Sequence, residues 1–115
     1  MAKATIYHNP RCGKSRNTLK ILEEKNVENN VVEYLKTPPT FGELKSVVKK
    51  LKIKPEELLR KGESVFKENY KGKSLSDDEW IRAMVDNPIL IERPIVIVGD
   101  KAVIGRPPEN VLEII

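Results

Sequence analysis

A single cysteine stands at position 12, inside the run His8-Asn9-Pro10-Arg11-Cys12-Gly13-Lys14. The thiolate, not the thiol, is the nucleophile, so a working cysteine needs a depressed pKa. Three features of this run push that way. Cys12 lies in a loop ahead of a helix, where unpaired backbone N–H groups and the helix dipole favour negative charge. Arg11, Lys14 and Arg16 supply cations. The first acidic residue of the chain is only Glu23. Arg11→Ala is accordingly expected to raise the titration midpoint of the thiol. The same N–H groups and cations suit an oxyanion. Nucleophile and anion cradle thus coincide in one loop, as attack on an oxyanion requires. The bland alternative is a small buried hydrophobe, and the loop position and basic company weigh against it. His8 is either structural or tunes Cys12 and orients a partner, since histidine titrates near neutral pH.

The spacing Cys12-Gly13-Lys14-Ser15 carries further information. A dithiol redox motif has a second cysteine at the fourth position, where this chain has Ser15. Cys12 therefore cannot close a disulfide cycle within the chain, and redox turnover must use an external thiol. One cysteine can neither staple a secreted domain nor assemble a structural zinc site alone, so no metal is expected. A reducing cytoplasm is the expected setting. The opening run Ala4-Thr5-Ile6-Tyr7 lacks the pattern of a secretory signal, and no apolar stretch approaches the length of a membrane span.

These residues need a scaffold. The 115 residues, 39% hydrophobic and 33% charged, suit one globular domain. The net charge of +4 is mild and lacks dense Lys/Arg runs, so no nucleic-acid partner is expected. A monomer is expected. A strand near Lys3 to Tyr7 precedes the cysteine loop. A helix should run from about Ser15 to Lys25, with Ser15 as N-cap and Leu19 and Leu22 inward. Val31 to Leu35 reads as a second strand. Thr37-Pro38-Pro39 breaks the chain. Thr40-Phe41-Gly42-Glu43 and Ser76-Asp77-Asp78-Glu79 are capping boxes that open two further helices. The second of these ends at Asn87-Pro88. Pro55 fits the first position of a short helix ending near Arg60, with Gly62 as its stop. The Lys- and Gly-bearing stretch Lys61 to Ser74 reads as a mobile loop. Ile95–Val98 and Lys101–Ile104 are strands joined by the two-residue turn Gly99-Asp100. Pro107-Pro108 opens a terminal helix presenting Val111, Leu112 and Ile115. The order predicts an α/β fold, the thioredoxin-like βαβ…ββα mixed sheet, as a single domain over residues 1–115 with a helical insert at about 37–88.

The run from Ile6 to Leu19 resembles the active-site segment of the glutaredoxin-coupled arsenate reductase family. The similarity continues at Tyr34-Leu35-Lys36-Thr37-Pro38-Pro39, Leu58-Leu59-Arg60, Asp86 to Val96 and Gly105-Arg106-Pro107-Pro108-Glu109. It covers essentially the whole chain in order. Departures after Arg60 and around Arg106 place the chain closer to a less characterised branch. The resemblance implies that Cys12 is catalytic and that Arg60, Arg93 and Arg106 bind substrate. Arginine forks match oxyanions. Pro94 resembles the cis-proline that packs beside the cysteine in thioredoxin-like folds. His8, Arg11, Ser15 and Pro94 would be supporting residues. The implied activity is reduction of arsenate to arsenite, or of a related oxyanion, through a nucleophilic thiolate at Cys12. Glutathione and glutaredoxin are the implied external reductants, with no bound cofactor. Two other functions share this sequence neighbourhood. One is an RNA-polymerase-binding thiol-switch regulator, whose members often carry Cys where this chain has Ser15. The other is a glutaredoxin-type redox protein without arsenic chemistry.

Overall fold

The computed structural model describes residues 3–115. Four strands and four α-helices follow in the order β1 (Ala4–Tyr7), α1 (Gly13–Glu24), β2 (Asn29–Val32), α2 (Phe41–Leu51), α3 (Ser64–Asn69), α4 (Asp77–Asp86), β3 (Ile95–Val98) and β4 (Lys101–Ile104). Short 3-10 helices cover Pro55–Leu58, Pro88–Leu90 and Pro108–Glu113. The chain divides into two compact units. One joins the chain up to Thr37 with Arg93–Ile115; the other is Pro38–Glu92. The insert thus reaches past Pro88. Backbone bonds from Glu92 N–H to Leu58 (2.9 Å) and from Arg60 N–H to Leu90 (2.8 Å), around a Leu59–Ile91 bridge, hold its last residues in the second unit.

The first unit carries the sheet, in the order β2-β1-β3-β4. β1 pairs with β2 in parallel, as a strand–helix–strand crossover requires, and with β3 antiparallel. β3 and β4 form the expected hairpin, and Gly99 adopts φ +61° in its turn, where glycine has no steric cost. This is the thioredoxin-like arrangement predicted by the order of elements. β2 starts two residues and ends three residues upstream of the expected Val31–Leu35. Its extent follows its partner, with Ala4 opposite Asn29 and Tyr7 opposite Val32. Ala4, Ile6, Leu22, Val96 and Val111 form a fully buried core, with Leu19, Ile21, Val27, Val98, Val103 and Ile114 packed against it. The terminal segment is a 3-10 helix, with about three residues per turn. It therefore turns Val111 and Ile114 inward and leaves Leu112 and Ile115 exposed, contrary to the α-helical reading.

In the second unit both capping boxes form as the sequence predicts. Thr40 and Ser76 accept the amides of Glu43 and Glu79, and each glutamate returns to the cap's own N–H. α2 buries Leu44, Val47 and Val48; α4 buries Trp80, Ile81, Ala83 and Met84. The stretch expected as a mobile loop contains α3. Phe66 is buried there and stacks on Trp80 with ring centroids 6.1 Å apart. The apolar anchor, not the Lys and Gly content, decides that segment. Among the described residues no helix is long and apolar enough to cross a membrane.

Candidate active site

Cys12 is itself the N-cap of α1, with extended backbone (φ −96°, ψ 122°), and its carbonyl accepts the Arg16 N–H at 3.0 Å. Ser15, expected as the cap, is instead fully buried in the first turn. Its hydroxyl oxygen accepts the Asn9 N–H at 3.0 Å and shares a 2.6 Å hydrogen bond with His8 Nδ1. A helix begins where the backbone turns helical, and a serine two residues later can be recruited by the loop behind it. The swap exposes the chemistry of Cys12. The N-cap side chain is the group that helix N–H donors address.

Partial burial opposes ionisation of Cys12, but other groups outweigh it. The backbone N–H of Ser15, the Arg93 guanidinium and the backbone N–H of Lys14 all favour the thiolate, and the pKa falls below the ordinary thiol value. The cation responsible is therefore Arg93, which stands two residues ahead of β3 in the first unit. Arg11, expected to do this, has an exposed side chain, and only its backbone N–H is engaged locally, on Asn9 Oδ1 at 3.0 Å. Arg16 braces the loop by donating from Nη1 to the Pro10 carbonyl at 2.9 Å.

Arg106 joins the same site. Its Nη1 lies 4.0 Å from Cys12 Sγ and donates to the Arg93 carbonyl at 3.3 Å. The Arg93–Pro94 and Arg106–Pro107 bonds are both cis, the first as expected for Pro94. Two guanidinium groups and two helix amides thus converge on one sulfur, a cluster suited to an oxyanion placed against a nucleophile. Arg60 lies in the second unit. There it donates from Nη1 to Glu92 at 2.7 Å and from Nε to Glu63 at 3.3 Å. Burial of Arg60 opposes its charge, but the two carboxylates prevail and raise its pKa. His8, at the end of β1, is buried. Burial lowers its pKa, with Arg16 adding to the effect and Glu33 opposing it. Among the described residues no three His, Cys, Asp or Glu side chains are grouped to hold a metal.

Sequence reasoning missed Gly105 and Thr18. A Cβ on Gly105 would meet Thr18 Oγ1 at 2.6 Å and Pro94 Cγ at 2.8 Å. Only glycine lets the strand end, the cis-proline and α1 approach this closely. The available signal was a glycine directly ahead of an Arg-Pro step. Asn9 was also passed over, though its carbonyl accepts the Cys12 N–H at 3.0 Å.

Known proteins resemble this chain in sequence and in fold. The ArsC family model matches residues 7–114. The chain is 54% identical over 112 residues to the uncharacterized protein YfgD of Escherichia coli (strain K12), covering 96% of this chain and 94% of that protein. It is 46% identical over 112 residues to a Haemophilus influenzae protein named arsenate reductase, covering 96% and 97%. A solved structure, arsenate reductase from Vibrio cholerae, superposes with a TM-score of 0.95 at 45% identity, covering 99% of this chain and 98% of that one. A lone cysteine flanked by two arginines stands on this fold, and the match across nearly the full length makes this chain a member of the ArsC family.

Proposed function

We propose that this protein reduces arsenate, or a closely related oxyanion, through Cys12, with glutathione and glutaredoxin as external thiols. The observation that carries the reading is the depressed Cys12 thiol flanked by Arg93 and Arg106. A relative named arsenate reductase at 46% identity supplies the substrate class.

The Cys12 thiolate attacks arsenic(V), forming a sulfur–arsenic bond as a hydroxide leaves and takes a proton. Arg93 and Arg106 neutralise the oxyanion as charge moves off the sulfur. Glutathione displaces a second hydroxyl, placing two sulfurs on arsenic(V). The glutaredoxin thiolate then attacks the glutathione sulfur. The sulfur–arsenic electron pair passes to arsenic, which becomes arsenic(III), and a glutaredoxin–glutathione disulfide forms. Water releases arsenite and restores the Cys12 thiolate. The absence of a second cysteine fits this use of outside thiols. Arg60 enters the reading through the family pattern alone.

The test is arsenite production from arsenate, glutathione and glutaredoxin by the native chain and by Cys12→Ser. Turnover by the native chain alone is expected. A native chain whose Cys12 alkylates normally, yet yields no arsenite, would overturn the proposal. Accumulation of a Cys12–glutathione disulfide without dependence on arsenate would favour the glutaredoxin-type reading.

A further inference from the structure

We propose that Asn110 is the positioning residue for Arg106. The proposal rests on the reading of Cys12 as nucleophile and Arg106 as its anion-binding neighbour. The Asn110 side-chain nitrogen donates to the Ile104 carbonyl at 3.2 Å and to the Arg106 carbonyl at 3.3 Å. Carbonyls only accept, so the amide end facing them must be the nitrogen. The Asn110 backbone N–H also donates to Pro107 at 3.1 Å. One residue of the terminal 3-10 helix thus ties together the end of β4, the arginine itself and the proline after it.

The two carbonyls that Asn110 holds flank Gly105. Gly105 in turn donates its N–H to Pro94 at 2.8 Å and is pressed against Thr18. The Ile104 carbonyl also accepts the Arg106 N–H at 2.9 Å. The turn is therefore clamped on one side by α1 and the cis-proline, and on the other by Asn110. A long arginine side chain reaches a defined point only if its own backbone is held. Here that point is 4.0 Å from the Cys12 sulfur and 3.3 Å from the Arg93 carbonyl. Both side-chain bonds of Asn110 go to backbone carbonyls, so Asn110 acts on the sulfur only through Arg106. Its loss frees the backbone of Arg106, and the guanidinium no longer dwells at the sulfur.

The experiment compares Asn110→Leu, which is nearly isosteric but has no donor, with Asn110→Ala, Arg106→Ala and the double variants. Native circular dichroism qualifies each protein. The first readout is the pH midpoint of iodoacetamide labelling at Cys12. The second is protection of Cys12 from labelling by inorganic phosphate. Asn110→Leu and Asn110→Ala are expected to raise the midpoint in the same direction as Arg106→Ala. They should weaken phosphate protection about tenfold, equivalent to about 1.4 kcal/mol. In the Arg106→Ala background they should add nothing, because the two residues act as one unit. A purely structural role would give additive losses instead. An unchanged midpoint in whichever Asn110 variants fold, or additivity with Arg106→Ala, overturns the proposal. If phosphate fails to protect even the native chain, the oxyanion reading of the site falls, while the labelling midpoints still decide the role of Asn110.

Discussion

The Ser15 hydroxyl lies 2.6 Å from Nδ1 of His8, and the same oxygen accepts the Asn9 N–H at 3.0 Å. This buried contact joins the first turn of α1 to the end of β1 and shapes the loop that presents Cys12. Ser15→Ala leaves a buried Asn9 donor without its acceptor, a loss of about 1–3 kcal/mol. Urea denaturation should show that drop in stability with native-like circular dichroism below the transition.

Arg93→Met should move the Cys12 labelling midpoint up toward the ordinary thiol value, since it removes both a hydrogen bond to the thiolate and a charge. Arg11→Ala should leave the midpoint near that of the native chain, because the Arg11 side chain is solvated. Reversal of this order in paired pH profiles would refute the assignment of Arg93 as the activating cation.

Gly105→Ala should destabilise the protein by about 1–3 kcal/mol, the usual range for overpacking. The added carbon would meet Thr18 at 2.6 Å and Pro94 at 2.8 Å. Chemical denaturation measures the loss. Since Arg106 follows directly, labelling of Cys12 should also shift upward in pH. A neutral substitution would show that the turn can move aside.

His8 contributes a pH dependence of defined sign. Burial holds its folded pKa below the ordinary 6.5. As pH falls from that value toward the folded one, the unfolded chain binds a proton that the folded chain does not. Stability therefore falls with acidification through that window. His8→Gln should show a smaller drop between about pH 8 and about pH 5 in urea midpoints. An equal drop in both proteins would place the effect elsewhere.

Much of the scaffold was legible before any coordinates. Capping boxes at Thr40 and Ser76 and the Gly99-Asp100 turn depend on residues within four positions of one another, so local chemistry decides them. The segment holding α3 was misread, because its order comes from Phe66 stacking on Trp80, a contact between separate helices.

The sequence alone determined that a lone thiol sits at the head of a helix with no second cysteine nearby, and that strands and helices follow one another in a thioredoxin-like order. Those properties reside in residue type and short spacing. Only the tertiary structure decided which cation activates Cys12, which residue caps α1 and why position 105 is glycine. Charge acts through space, and Arg93 and Arg106 reach the sulfur from strand ends far along the chain, while Arg11, its immediate neighbour, points to solvent.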